Sequence, residues 1–136
     1  AGTNDTKYVT PAQVKSRVET QIISKNLADA SVVTTYNHSL WVAPRYIEIE
    51  WLLWGGTGAS AISNGMWDGS SNKCIYVQQG STTTSSEASY CVLLMVSWGG
   101  YQFATIQNVT SSNFQINWQK FSTPTWTAQF IVKLYY

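Results

Sequence analysis

Glu48 and Glu50 are the residues whose type and spacing most directly raise the question of chemistry. On an extended strand they share one face, about 6.6 Å apart along the chain. Carboxyl pairs separated by roughly 5–10 Å are the working parts of glycosidases. A solvent-facing strand produces the same alternation with no chemistry attached, and the context here favours that reading. Asp68 is the only other acid in a plausible pocket, with no strand-end acid opposite it. His38 is the single histidine, and no Ser/His/Asp or Cys/His spacing surrounds it, so a nucleophilic triad is not supported. Cys74 and Cys91 are far apart and outside CxxC spacing, which removes thioredoxin-like and zinc readings. Buried free thiols are expected rather than a disulfide. No His, Cys, Asp and Glu cluster has metal-ligand spacing, and neither metal nor cofactor is expected. Gly55-Gly56-Thr57-Gly58 lacks the Lys and Ser/Thr of a phosphate loop. The sequons at Asn37 and Asn108 would matter only on a eukaryotic secretory route.

Aromatic residues are the stronger signal. Trp67 stands among turn-forming residues, with Asn64, Asp68 and Asn72 around it. A ring in such a loop can stack on the apolar face of a sugar while amides and carboxylates bond its hydroxyls. Trp98 and Tyr101, flanking Gly99-Gly100, are further candidates, as is Trp126 after Pro124. The competing expectation is that these rings close the ends of the fold or fill subunit contacts.

The elements that must position these residues follow from periodicity. Thr10-Pro11-Ala12-Gln13 has the form of a helix start, with a cap, a first-turn proline and a capping-box Gln. Val14, Val18 and Ile22 recur every four residues, predicting a helix from Pro11 to about Leu27. From about Val32 the period changes to two. Tyr46–Leu53 alternates with Ile47, Ile49, Trp51 and Leu53 on one face. Strands are also predicted at Cys74–Gln79, Tyr90–Trp98, Tyr101–Gln107, Phe114–Gln119 and Ala128–Leu134, with Gly99-Gly100 as a hairpin turn. Gly80–Ser89 is Ser/Thr-rich and expected to be exposed and mobile. The fold class is therefore mainly β, an antiparallel sandwich of jelly-roll type. Residues 1–30 are expected to form a leading segment with the short helix, and residues 31–136 the sandwich.

Composition narrows the function. Charged residues make only 11% of the chain and the net charge is +1, so nothing draws it to nucleic acid or anionic lipid. No apolar run is long enough for a membrane helix. Aromatic content of 14% with so few charges makes an oligomer the default, because rings need cover. The start lacks Met and a secretory leader pattern, as expected of a processed chain or a piece of a longer one.

Ala1–Val18, with its AGTNDTKYVTPAQV run, resembles a segment that recurs in tail fibres of tailed bacteriophages and prophage particles. Phe114–Lys120, Ser122-Thr123-Pro124 and Thr127–Tyr136 are similar to the closing strands of fibre-tip domains, which commonly end on an aromatic residue. Ile47–Trp51 leading into Gly55–Gly58 resembles the strand and glycine loop of the same domains. Gly65–Ser89 matches nothing, so no binding residue carries over by motif. The resemblance implies a homotrimeric receptor-binding tip at the distal end of the virion's tail fibre, assembled in the host cytoplasm. Its receptor would be a surface glycan such as lipopolysaccharide or capsule. Three copies of the predicted helix would pack through Val14, Val18 and Ile22. The alternatives are a polysaccharide depolymerase, a purely structural trimerisation domain, and a tip that binds a protein receptor.

Overall fold

The computed structural model describes residues 18–54, 61–97 and 100–136. Among them ten strands follow one another: β1 Val18–Asn26, β2 Val32–Asn37, β3 Tyr46–Trp54, β4 Ile62–Trp67, β5 Asn72–Val77, β6 Thr84–Glu87, β7 Val92–Ser97, β8 Gly100–Gln107, β9 Asn113–Phe121 and β10 Thr127–Tyr135. They form two antiparallel sheets, one of six strands in the order β1-β10-β3-β4-β5-β6 and one of four in the order β2-β9-β8-β7. No described residue is helical.

The core lies between the sheets, where the period-two pattern puts alternate side chains. Ile47 and Ile49 of β3, Phe114, Ile116 and Trp118 of β9, and Phe130, Val132 and Leu134 of β10 are all fully buried there. Trp118 contacts Phe130 at a 5.7 Å centroid distance. Its indole N–H donates to the Tyr36 hydroxyl at 3.3 Å, which satisfies the one polar atom the buried ring carries.

The predicted helix is corrected over residues 18–27: Val18–Asn26 is a strand, paired with β10 from Val18↔Tyr135 to Asn26↔Thr127. A spacing of four suits both periods, since residues i and i+4 share a face on a strand as well as on a helix. Val18, Thr20, Ile22 and Ile23 are β-branched, and β10 offers a full unpaired edge. Val14 and the start of the predicted helix lie outside the described residues.

Three further expectations change. Ile62–Trp67 is a strand where Ser63-Asn64-Gly65 reads as a turn, and Thr84–Glu87 pairs with β5 inside the Ser/Thr-rich stretch. Gly100 stands in β8 opposite Ser97, not in the hairpin turn.

Gly65 explains why β4 carries a glycine. A Cβ there would lie 1.9 Å from the Cys91 carbonyl oxygen and 2.7 Å from that of Lys73. The inner face of β4 is thus open at one point, and the chain entering β7 fills the space. Nearby, the Ser63 hydroxyl accepts from the Leu93 N–H at 2.9 Å, and the Gln79 N–H donates to Met95 at 3.0 Å. These bonds close the β4–β5 side of the sandwich onto β7. Gly65→Ala is expected to cost about 3 kcal/mol or more, because both obstructing atoms are backbone. In a thermal melt followed by circular dichroism, the midpoint should fall by roughly 10 °C.

Cys74, opposite Gly65 in register, and Cys91 are both buried free thiols. Burial pushes the Cys74 thiol up to about 11 and that of Cys91 higher still. Thiolate is the reactive form, so a thiol reagent should modify neither cysteine in the native protein and both in denaturant. Rapid labelling of the native chain would contradict this packing.

Candidate functional site

The outer face of the six-stranded sheet holds an open groove of about 550 Å³. That size falls within the roughly 300–1,000 Å³ typical of small-ligand sites. Its wall on one side is the outward row of β3: Tyr46, Glu48 and Glu50. Asn64 and Met66 of β4 and Lys73 and Ile75 of β5 form the floor, and Ser86 and Glu87 of β6 the far side. Cross-strand register brings them together, pairing Glu48 with Met66, Glu50 with Asn64, and Asn64 with Ile75.

The charges are held by neighbours. Lys133 of β10 reaches both carboxylates, 3.1 Å from Glu50 and 3.8 Å from Glu48. The hydrogen bond and charge of Glu50 hold the lysine above its ordinary value. Tyr135 donates its hydroxyl to Glu48 at 2.8 Å, and that bond raises the phenol. Tyr46 packs edge-on against Tyr135 at 5.5 Å and directs its hydroxyl to the Met66 sulfur at 3.0 Å. Asn64 accepts from the Trp51 backbone N–H at 3.2 Å, where the β3–β10 register shifts between Gln129 and Phe130. The apolar part of the floor is open to solvent, with Ile75 53% exposed.

The residues singled out in the sequence do not form one site. Asn64 lines the groove. Trp67 is the last residue of β4, opposite Ile47 and Asn72, and packs against the core instead of standing in a loop. Asn72 bridges the sheets: it accepts from the Ile106 N–H at 2.7 Å and donates to the Ile106 carbonyl at 3.3 Å. β7 begins opposite Ala104, so this amide supplies the ladder bonds that β7 is too short to give Ile106. Asp68 ties the β4–β5 turn, accepting from the backbone N–H groups of Ser70 at 3.1 Å and Ser71 at 2.8 Å, and pairs with Lys73 at 3.4 Å. Tyr101 projects from the other sheet and stacks on Phe121 at 5.1 Å. Trp126 precedes β10 with φ of 81°, its carbonyl accepting from the Leu27 N–H at 2.8 Å. Trp98 lies outside the described residues. Val18 and Ile22 sit on the outer face of β1, with Ile22 64% exposed.

Tyr46, Met66, Lys73, Ile75 and Glu87 were not legible as site residues. Only strand register reveals that they meet. His38 is half-buried and bonded through Nε2 to the Thr110 carbonyl at 3.0 Å. Among the described residues no cluster of His, Cys, Asp or Glu can hold a metal, and no helix is long and apolar enough to cross a membrane. Comparison with protein-family models, with curated proteins and with solved structures gives no match.

The four hydroxyl and amide donors on Asp68 hold its carboxyl well below the usual carboxylate range. A lowered folded-state value means stabilisation that is complete above the ordinary carboxylate value and fades as pH falls towards the folded one. The melting temperature of Asp68→Ala should therefore lie below wild type at pH 7, with the gap narrowing steadily below about pH 4. A gap that stays constant from pH 7 to pH 2 would show that the charge on Asp68 is irrelevant to the turn.

Proposed function

We propose that this chain is a non-catalytic attachment module, the trimeric receptor-binding tip of a phage or prophage tail fibre, and that it binds a host-surface glycan in the groove of the six-stranded sheet. The observation that carries the reading is the composition of that groove. A pyranose has an apolar face and a rim of hydroxyls. Ile75 and Met66 supply apolar floor, and Asn64, Ser86 and the carboxylates of Glu48 and Glu50 supply donors and acceptors around it. The site is built on strands, so its geometry is set by the sheet and not by loop ordering. A trimer would present three grooves, and weak single contacts would add by avidity.

The depolymerase reading keeps one observation in its favour, since Glu48 and Glu50 do face the same groove. Against it, one ammonium touches both carboxylates and so occupies the space between them. A glycosidic bond undergoing hydrolysis needs that space.

Glycan-array screening of the chain, followed by titration of the best ligand, tests both readings. Asn64→Ala and Ile75→Ser should each weaken binding about tenfold, equivalent to roughly 1.4 kcal/mol, without lowering the melting temperature by more than a few degrees. Undiminished binding by the double variant would remove the groove as the site. Release of reducing ends from the bound polysaccharide would establish the enzymatic reading instead. Binding to host cells that survives complete removal of their surface glycan would point to a protein receptor.

A further inference from the structure

The outer face of the four-stranded sheet is chemically unlike the groove face. Register assigns it Val33 and Thr35 of β2, Gln115, Asn117, Gln119 and Phe121 of β9, and Tyr101, Phe103, Thr105 and Gln107 of β8. Among the described residues no charged side chain belongs to this set. The opposite side of the molecule, by contrast, carries Glu48, Glu50, Lys73 and Lys133.

One end of this face is a row of rings. Tyr90 meets Phe103 at 4.7 Å, Phe103 meets Tyr101 at 5.6 Å, and Tyr101 stacks on Phe121 at 5.1 Å with planes 20° apart. Phe121, at the end of the row, remains 54% exposed. The other end is a set of amides bonded to one another. Gln115 accepts from Asn108 at 2.7 Å and from Gln107 at 3.5 Å, and donates to the Thr35 hydroxyl at 3.3 Å.

We infer that this face is an interface between copies of the chain. It deepens the trimeric reading above by naming the surface, and it does not depend on the glycan. Three observations select a second copy over a sugar. Tyr101 and Phe121 stack on each other, and Phe103 meets Tyr90 and Tyr101 at tilts of 56° and 44°, so each ring of the row already spends contact on a neighbouring ring. Gln115 has already used both its carbonyl and its amide on neighbours, groups that a hydroxyl-rich ligand would need. The absence of charge means that a second copy meets no like charge and that no ion must be stripped of water. Strands of 6, 9, 8 and 6 residues, at about 3.3 Å rise and about 4.8 Å spacing, give a face of roughly 460 Å² in plan. Counted on both partners, that lies at the small end of specific interfaces, below the ~1,200 Å² total of a standard one. Around a shared threefold axis, three such faces meet along their ring strips and leave the three grooves outward.

The test is multi-angle light scattering of the chain across a concentration series. Wild type should have a mass that is a multiple of 15.2 kDa. Phe121→Glu, and separately Val33→Glu, each place a carboxylate on this face at a side chain that is already solvent-exposed, and should weaken association at least tenfold. Ile22→Glu, on the outer face of the six-stranded sheet, should leave the mass unchanged. Circular dichroism melts confirm that each variant is folded. The inference is overturned by a wild type that stays monomeric, by both face variants assembling normally, or by Ile22→Glu alone dissociating the assembly. Glycan titration of the dissociated Phe121→Glu chain should give wild-type affinity per site. Loss of that binding would assign the face to the sugar and overturn the inference, while a failed assembly test with groove binding intact leaves the glycan reading standing.

Discussion

The sandwich depends on one place where a side chain is missing. At Gly65 the backbone of β4 is bare on its inner side, and the Cys91 carbonyl occupies the position a Cβ would take. That approach brings the start of β7 against β4 and β5 and aligns the Ser63 and Gln79 bonds that close this side of the molecule. The outer side of the same residue lines the groove. Closure of the core and the shape of the candidate site are therefore set by the same few atoms, and neither can be altered independently at this point.

The two outward faces divide the polar chemistry of the chain. The six-stranded sheet bears ion pairs at its surface, where each is exposed enough to be of small energetic consequence and of larger consequence for selectivity. The four-stranded sheet bears rings and mutually bonded amides. A chain with so few charged residues can still be strongly polarised between its faces, and that polarity gives it two sides suited to different kinds of contact.

Much of the fold is written in local alternation. Ile47 and Ile49, and Phe130, Val132 and Leu134, are buried as the period-two pattern of their strands requires. Three elements escaped that pattern for separate physical reasons. Val18 and Ile22 satisfy both helical and strand spacing, so only the open edge of β10 decides between them. Ser63-Asn64-Gly65 has turn composition, yet its glycine serves a close approach. Thr84–Glu87 is a short polar edge strand with no apolar row to announce it. The site was legible only in part. Glu48, Glu50 and Asn64 were visible as candidates, but the fact that they face Ile75 and Ser86 is a property of register across four strands. Trp67 was misplaced because its turn-like neighbours hid its position at the end of a strand.

The position of β10 in the six-stranded sheet has a consequence for biosynthesis. β1 and β3 never touch each other as neighbours; each is hydrogen-bonded to β10, which is made about half the chain after β3. During synthesis two apolar edges must therefore wait, open, for a partner that has not yet left the ribosome. Long-range pairing of this kind is slow and exposes sticky surface while it is pending. A nascent chain of this topology gains from holdase chaperones or from rapid completion, and any stall before β10 leaves a fragment primed to aggregate.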